Sequence, residues 1–292
     1  MKEIEVDSWL TNVAELLELD VRETFLLVIK LGVDSDLIAK IQRNGMKPGA
    51  DYIYLYHDIR LCSCTNYYLD VWGNEISLIG ELKKCNIRFK GWNSKLIIGE
   101  KVQIGKDVEI NIGSNCNLYI GNHVNLGSNG LIRCEDNASI LIGNGCRFEN
   151  YKIVSRSHII MGENNVFNEG LILIAERDSK IEIGKDVLVS SNVHMRSGNG
   201  HSLFDITEGI NLSKKASHIL IKNHVWIGQD VTILYNTELN DGCMVGAKSL
   251  VKGIYEPQSL LYGVPAKTMK KHIGWDIRND ISYEEFIRST FN

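Results

Sequence analysis

The sequence predicts a mainly β protein built as a solenoid of stacked coils, and three observations carry that reading. From Ile219 to Val251, the residues Ile221, Ile227, Ile233, Leu239, Val245 and Val251 are aliphatic, each six positions after the last. A helix would place apolar residues three and four apart, and a half-buried strand would alternate them, so neither common period fits. Short strands separated by tight corners do fit: each sends an aliphatic side chain into a shared interior, and three such strands close one triangular coil. Second, Ile98-Gly99, Ile120-Gly121 and Ile142-Gly143 are 22 residues apart, as are Met161-Gly162 and Ile183-Gly184, with one interval of 19 between the two sets. Three hexapeptides are shorter than this, so the longer unit implies about four extra residues at its corners. Third, the register breaks at Met195 and resumes at Ile221, leaving RSGNGHSLFDITEGINLSKKASHIL as an excursion. A solenoid accommodates such an insertion as a surface loop, and loops on rigid scaffolds are where sites are built.

Composition narrows the function classes. The chain of 292 residues carries 32 basic and 36 acidic side chains, a net charge of −4, which argues against nucleic acid or an anionic membrane as the main partner. No apolar run reaches the roughly 18 residues of a spanning helix. The start, MKEIEVDSWL, has acids where a signal peptide has a basic and then an apolar region, so a soluble, cytoplasmic protein is expected. Seven scattered cysteines read as free, buried thiols. Cys62 and Cys64 form a C-x-C pair with no second pair or nearby histidine, so no metal site is expected.

Taken in order, residues 1–86 read as a mixed module. Helix spacing runs through residues 7–45, with Asp20 and Glu23 as a capping box for a second helix through Phe25, Leu26, Ile29 and Lys30. Short β-type runs follow from Tyr52 to Ile87. Residues 87–272 form the solenoid; glycine, abundant in the chain at 26 residues, supplies backbone freedom at corners, and proline is nearly absent because ladders need every N–H. Residues 273–292 form a C-terminal cap, with Ser282 and Glu285 as the capping box of a short helix covering the open end of the stack.

The hexapeptide run, the excursion with Gly200-His201, the segment Asn223-His224-Val225-Trp226-Ile227-Gly228 and the tail Gly263-Val264-Pro265-Ala266-Lys267 together resemble the left-handed β-helix acyltransferases. More narrowly, they are similar to the branch of galactoside and maltose acetyltransferases and of capsular-polysaccharide or sialic acid O-acetyltransferases. The resemblance covers roughly residues 87–272 and implies left-handed coils, homotrimers with active sites between subunits, and acetyl-CoA as donor. Residues 1–86 depart from the short N-terminal segment of that branch, so no role carries over to them.

Acetyl transfer from a thioester to a sugar hydroxyl needs a base near neutral pKa, a donor for the oxyanion, and a groove that holds both substrates. His201, flanked by glycine in SGNGHSLFD, is the candidate base and matches the family's catalytic histidine. Asp205 would orient the imidazole, contact the acceptor or simply cap a turn. His194, just before the break, is the rival base and would project from a coil corner. Trp226 precedes a core aliphatic, so its indole faces outward to stack on a sugar or the cofactor. His224 reads as a corner residue. By residue match, Gln229 and Ala247, with Pro265 of the tail, would contact the pantetheine arm, and Lys252, Lys267 and Lys270 would meet the phosphates of coenzyme A. No phosphate-loop or dinucleotide fingerprint is present, and no cysteine or serine of the excursion has a nucleophile constellation, so direct transfer in a ternary complex is expected. N-acetylation of an amino sugar on a nucleotide carrier is the neighbouring alternative, and a non-catalytic scaffold the alternative of a different class.

Overall fold

The computed structural model describes residues 27–28, 52–53, 67–69, 73–79, 86–212 and 217–291. The predicted helices within residues 7–45 and the Cys62–Cys64 pair lie outside them, apart from Leu27–Val28. Those two residues fall inside the second predicted helix, yet they are extended and pair in parallel with Tyr52–Ile53. The pairing overrides a local spacing that suited either state.

From Glu75 to Gly263 the chain winds as a parallel β-solenoid with three faces. The first face stacks Glu75–Leu78, Lys95–Ile98, Asn117–Ile120, Ser139–Ile142, His158–Met161, Ser179–Ile183 and Ser217–Ile221. The second face is a nine-stranded sheet from Gln103–Ile104 to Ala266–Lys271. The third stacks Asn86–Phe89, Glu109–Ile112, Leu131–Cys134, Tyr151–Ser155, Leu171–Ala175 and His194–Arg196. Thr232–Leu239 runs through a corner and pairs with both His194–Arg196 and Ser217–Ile221, joining the third face to the first.

The interior is a set of columns in which one residue sits directly over its equivalent in the next coil. Ile87, Ile110, Ile132, Ile153, Leu173, Met195, Ile233 and Val251 form one such column, all essentially without solvent exposure. Every predicted aliphatic from Ile221 to Val251 points inward.

Two expectations are corrected. The extra four residues of the 22-residue unit are not at the corners. They lie in the strands, where Glu109–Ile112 and Asn117–Ile120 are each four residues long while Gln103–Ile104 keeps the two of a short rung. Because side chains alternate across a strand, adding two residues to a face adds one more inward side chain and leaves the rest in phase. The glycines after the aliphatics also have a different role. The left-handed backbone position at most corners is held by Asn, Asp, His or Lys, such as Asn115, Asn137 and Asp107. Gly121 instead permits close stacking, because a Cβ there would lie 2.8 Å from the backbone nitrogen of Asn144 in the next coil.

The C-terminal segment reverses. Ala266–Lys271 pairs antiparallel with Ser259–Gly263, the chain then returns along a corner to place Trp275 on His224, and a helix spans Tyr283–Phe291. Its first turn is closed by Ser282 N–H donating to Glu285 Oε2 at 2.8 Å and Glu285 N–H donating to Ser282 Oγ at 3.2 Å. Cys116, Cys134, Cys146 and Cys243 are buried and free, and burial pushes the Cys146 thiol up to about 11. No described helix is long and apolar enough to cross a membrane.

Ile132 is fully buried between two identical neighbours, so Ile132→Ala should lower unfolding free energy by about 2–5 kcal/mol with an unchanged urea m-value. A loss under about 1 kcal/mol in urea titration would mean that neighbouring coils close the gap.

Candidate active site

The excursion leaves the third face after Arg196 and rejoins the first at Ser217, so its two ends meet at one corner. Serines hold them. Ser179 Oγ and Ser197 Oγ are hydrogen-bonded, Ser217 Oγ donates to the Ser197 carbonyl, and Ser197 Oγ accepts the Glu176 N–H at 3.0 Å. Ser179 and Ser197 are buried, so the excursion springs from a fixed root.

Beneath it lies an ion-pair chain. Glu176, buried, accepts at Oε1 from Nε and Nη2 of Arg196, at 2.8 and 2.6 Å, and at Oε2 from Nη1 of Arg156 at 3.0 Å. Arg156 Nε donates onward to Glu135 Oε2 at 3.1 Å. Burial works against the Arg156 charge, but Glu135 and Glu176 outweigh it and hold its pKa above the ordinary arginine value. Gly200, with φ +72°, rests on this pair: a Cβ would lie 2.4 Å from Arg196 Nη2 and 3.2 Å from Glu176 Oε1. The residue before His201 is therefore glycine for two reasons, its backbone conformation and the guanidinium under it.

His201 lines a cleft of about 700 Å³ together with Arg156, Glu176, Arg196, Ser217 and Tyr235. Lys252 stands over the Tyr235 ring with its Nζ 4.3 Å from the centroid, so this lysine belongs to the His201 side. Asp205 does not line the cleft; its Oδ1 accepts the N–H groups of Thr207 and Glu208 at 2.9 and 3.0 Å and closes the turn of a small hairpin, Phe204–Asp205 against Ile210–Asn211. Its position two residues before a turn amide gives it that partner first. His194 does not project from a corner; it is an exposed side chain in the strand His194–Arg196, because the break in register comes after this strand.

Gln229 and Ala247 stack at a different corner, between the second and third faces, where Lys248 N–H donates to the Gln229 carbonyl. Both side chains are exposed, and Gly263 and Pro265, after a cis Val264–Pro265 bond, finish the same corner. Trp226, 42% exposed, stands on the outer side of the second face in line with Met244, Leu260 and Lys270. Its indole lies 6.0 Å from that of Trp275. His224 occupies a corner with φ 52°, stacks on Trp275 at 4.3 Å and accepts the Trp275 Nε1–H at its carbonyl. Lys267 and Lys270 are exposed on the edge strand Ala266–Lys271, without an ion pair among the described residues. One chain thus sets His201 and the Tyr235–Lys252 pair at one edge of the third face, and Trp226, Gln229, Ala247, Pro265, Lys267 and Lys270 beyond its other edge.

Glu176, Arg156 and Arg196 were not singled out from the sequence. They are adjacent only across coils, and the available signal was the 20-residue offset between Arg156 and Glu176, and again between Glu176 and Arg196, close to one coil.

A parallel β-solenoid of hexapeptide coils, interrupted by one histidine-bearing excursion, is the class of protein these features define. No family model matches the chain. Among solved structures it resembles the polysialic acid specific acetyltransferase NeuO, with TM-score 0.55 and 22% identity over 71% of this chain and 91% of that one. It also resembles the polysialic acid O-acetyltransferase OatWY, with TM-score 0.51 and 22% identity over 71% and 98% of the two chains. The fold is shared with both. In sequence it is 31% identical over 122 residues to the protein named as the lipopolysaccharide biosynthesis O-acetyl transferase WbbJ of Escherichia coli K12, covering 39% of this chain and 61% of that protein. It is 27% identical over 123 residues to a polysialic acid O-acetyltransferase of Escherichia coli O1:K1, covering 41% and 38%. The chain therefore spans less than two thirds of the length of either relative.

Glu176→Ala leaves two guanidinium groups without their shared carboxylate. It should lower stability by about 1–3 kcal/mol, the price of an unsatisfied charged partner, and speed amide hydrogen exchange at Gly198 and Gly200. Exchange at these glycines unchanged from wild type would show that the serines alone hold the root.

Proposed function

We propose that this protein is an acyltransferase that moves an acetyl group from acetyl-CoA to a hydroxyl of a sugar or polysaccharide. The observation that carries the reading is His201, held on a rooted excursion in a solvent-open cleft, in a fold shared with two polysialic acid acetyltransferases. The named relatives, each an acetyltransferase, support it.

In this mechanism His201 takes the proton from the acceptor hydroxyl as its oxygen attacks the thioester carbonyl carbon. The C–O bond forms, the tetrahedral adduct collapses with cleavage of the C–S bond, and the imidazolium returns its proton to the leaving thiolate. An acetyl ester and free coenzyme A result, with no enzyme-bound intermediate. The Arg196–Glu176 pair acts as a positioning device beneath Gly200.

The residues at the other corner suit a coenzyme A arm. Ala247 and Gly246 leave the corner without bulk, Gln229 offers an exposed amide, and the lysines of the edge strand, without an ion pair among the described residues, are exposed cations at the far end, where phosphates would lie. Trp226 gives the flat apolar wall between them.

Because His201 and the Gln229–Ala247 corner stand on opposite edges of the third face, the complete site is assembled from two copies in a homotrimer, with coils of the left-handed sense that the resemblance implies. The hairpin after His201 supports this: Leu203, Phe204, Ile206, Ile210 and Leu212 are all more than half exposed, and Ile206 is 93% exposed. An apolar cluster of this kind on a surface marks an interface.

Coenzyme A release from acetyl-CoA with a panel of capsular glycans, sialic acids and simple sugars tests the reading. Release should fall by about 100-fold or more in His201→Ala, as expected for loss of a general base, and stay near wild type in His194→Ala. No release and no acetyl-CoA binding by the wild type would return the chain to a scaffold. Co-assembly of inactive His201→Ala with inactive Ala247→Trp should restore part of the activity, since mixed trimers regain intact sites; no recovery in verified mixed trimers would place each site within one chain.

A further inference from the structure

The corner between the first and second faces carries a strap. His224, Gly242 and Gln258 hold its left-handed positions in three successive coils, and each donates its N–H to the coil before: His224 to the Lys185 carbonyl, Gly242 to Asn223 and Gln258 to Asp241. After Lys271 the chain descends this corner. Ile273 N–H donates to the Gln258 carbonyl at 3.0 Å, and two residues later Trp275 reaches His224, two coils lower. Gly242, in the coil between them, has no side chain to obstruct the strap.

The residues on either side of Trp275 are held. A Cβ at Gly274 would lie 2.2 Å from Phe286 Cζ, so the helix Tyr283–Phe291 rests on the strap. Asp276 closes the next turn, its carboxylate accepting the Arg278 N–H at 2.9 Å and the Arg278 Nε and Nη2 hydrogens at 2.9 and 2.8 Å. Trp275 itself is clamped. Its indole stacks on the His224 ring, with centroids 4.3 Å apart and planes 9° from parallel. Its Nε1–H donates to the His224 carbonyl at 2.9 Å, and its own carbonyl lies 3.1 Å from His224 Nε2. A carbonyl only accepts, so Nε2 carries the proton. Each side chain thus binds the other residue's main chain.

The clamp lies outside the interior columns, and what it reaches is Trp226. The two indoles are 6.0 Å apart and tilted by 43°. On the outer side of the second face Leu188 precedes Trp226 in the coil before, and Met244 follows it in the coil after. Met244 is only 4% exposed although it faces outward, so that side is filled. Trp275 occupies the side toward the His224 corner. Along the strand the opposite side leads to Gln229 and Ala247. An outward indole on a strand has several staggered rotamers open to it, and neighbours on three sides remove most of that freedom.

We propose that this strap is a brace for the donor site: Trp275 is a positioning residue that holds the Trp226 indole facing the Gln229–Ala247 corner before acetyl-CoA arrives. The proposal rests on the reading of Trp226 as a wall for the coenzyme A arm. A side chain ordered in advance need not be ordered by the ligand, which strengthens binding by roughly three- to tenfold. The brace also accounts for His224. Most non-glycine left-handed positions here are Asn or Asp, whereas histidine supplies the ring on which Trp275 stacks.

Variants of the full chain test this. Trp275→Ala removes the brace, His224→Asn keeps a residue suited to the left-handed corner but removes the stacking ring, and Trp275→Phe keeps a stacking ring without the Nε1–H. Tilted indoles this close couple their transitions, so the wild type should show an exciton couplet in circular dichroism that is lost equally in Trp275→Phe and Trp226→Phe. The second readout is calorimetric titration with acetyl-CoA, together with initial rates on whichever glycan or sugar of the panel releases coenzyme A. Kd and KM for acetyl-CoA should rise about three- to tenfold in Trp275→Ala and His224→Asn, with kcat and the acceptor KM unchanged, and Trp275→Phe should lie nearer wild type. A strap with only a structural role would lower Tm and the amount of active protein without moving KM for one substrate alone. Acetyl-CoA binding unchanged in both Trp275→Ala and His224→Asn, a rise in acceptor KM instead, or a wild type without the couplet would each overturn the brace and leave acetyl transfer standing. A wild type that binds no acetyl-CoA and releases no coenzyme A would overturn the acetyl-transfer reading, and the donor role of the brace with it, whatever the couplet shows.

Discussion

Coil-on-coil register is the constraint on which everything else depends. Each backbone N–H of a strand is satisfied by the strand of the next coil, and the inward side chains can form columns only if every coil returns to the same place. That requirement limits how corners are built and forces glycine where two backbones approach, as at Gly121 and Asn144. It also makes an excursion costly unless its two ends are anchored side by side. The serine cluster at Ser179, Ser197 and Ser217 meets that condition, and the site inherits its rigidity from it.

The solenoid was legible in the sequence because burial in a column demands an aliphatic residue at each recurrence, and Ile221 to Val251 shows that demand without noise. The placement of the longer units was less legible. Twenty-two residues per coil is compatible with longer corners or longer strands, and only the alternation within Glu109–Ile112 and Asn117–Ile120 distinguishes them. The left-handed corner positions were missed because Asn115 and Asn137 read as ordinary polar surface until their side chains are seen stacked, with Asn115 Nδ2 donating to Asn137 Oδ1 at 3.1 Å. Leu27–Val28 was misread because four apolar neighbours satisfy a helical spacing as well as an extended one.

For the site, His201 was visible as a histidine in a glycine-rich break of register, a local signal. Its support was not. Glu176, Arg156 and Arg196 sit in three different coils, and each alone is an ordinary surface charge; their meaning is created by stacking. Asp205 shows the converse. Its nearness to His201 in sequence suggested a shared role, but a carboxylate takes the closest amides first, and those were Thr207 and Glu208. Lys252 was grouped with Lys267 and Lys270 by sequence, and the corner between them sends it to the opposite side of the third face.

The reversal of chain direction at the margins of the stack has a consequence for how molecules meet in solution. A column of parallel rungs is open-ended, and another molecule's coil could in principle continue it as a fibre. Tyr67–Leu69 lies antiparallel along Glu75–Leu78 at one margin, and Ala266–Lys271 lies antiparallel along Ser259–Gly263 at the other. An incoming parallel rung therefore finds the first face occupied at the start and the second face occupied at the finish. Among the described residues the third face has no such guard, so a newcomer could align with one side of the triangle while being refused by another. A parallel rung added at either end thus meets a strand of opposite direction on one face, and the lysines of the final strand add positive charge at that margin.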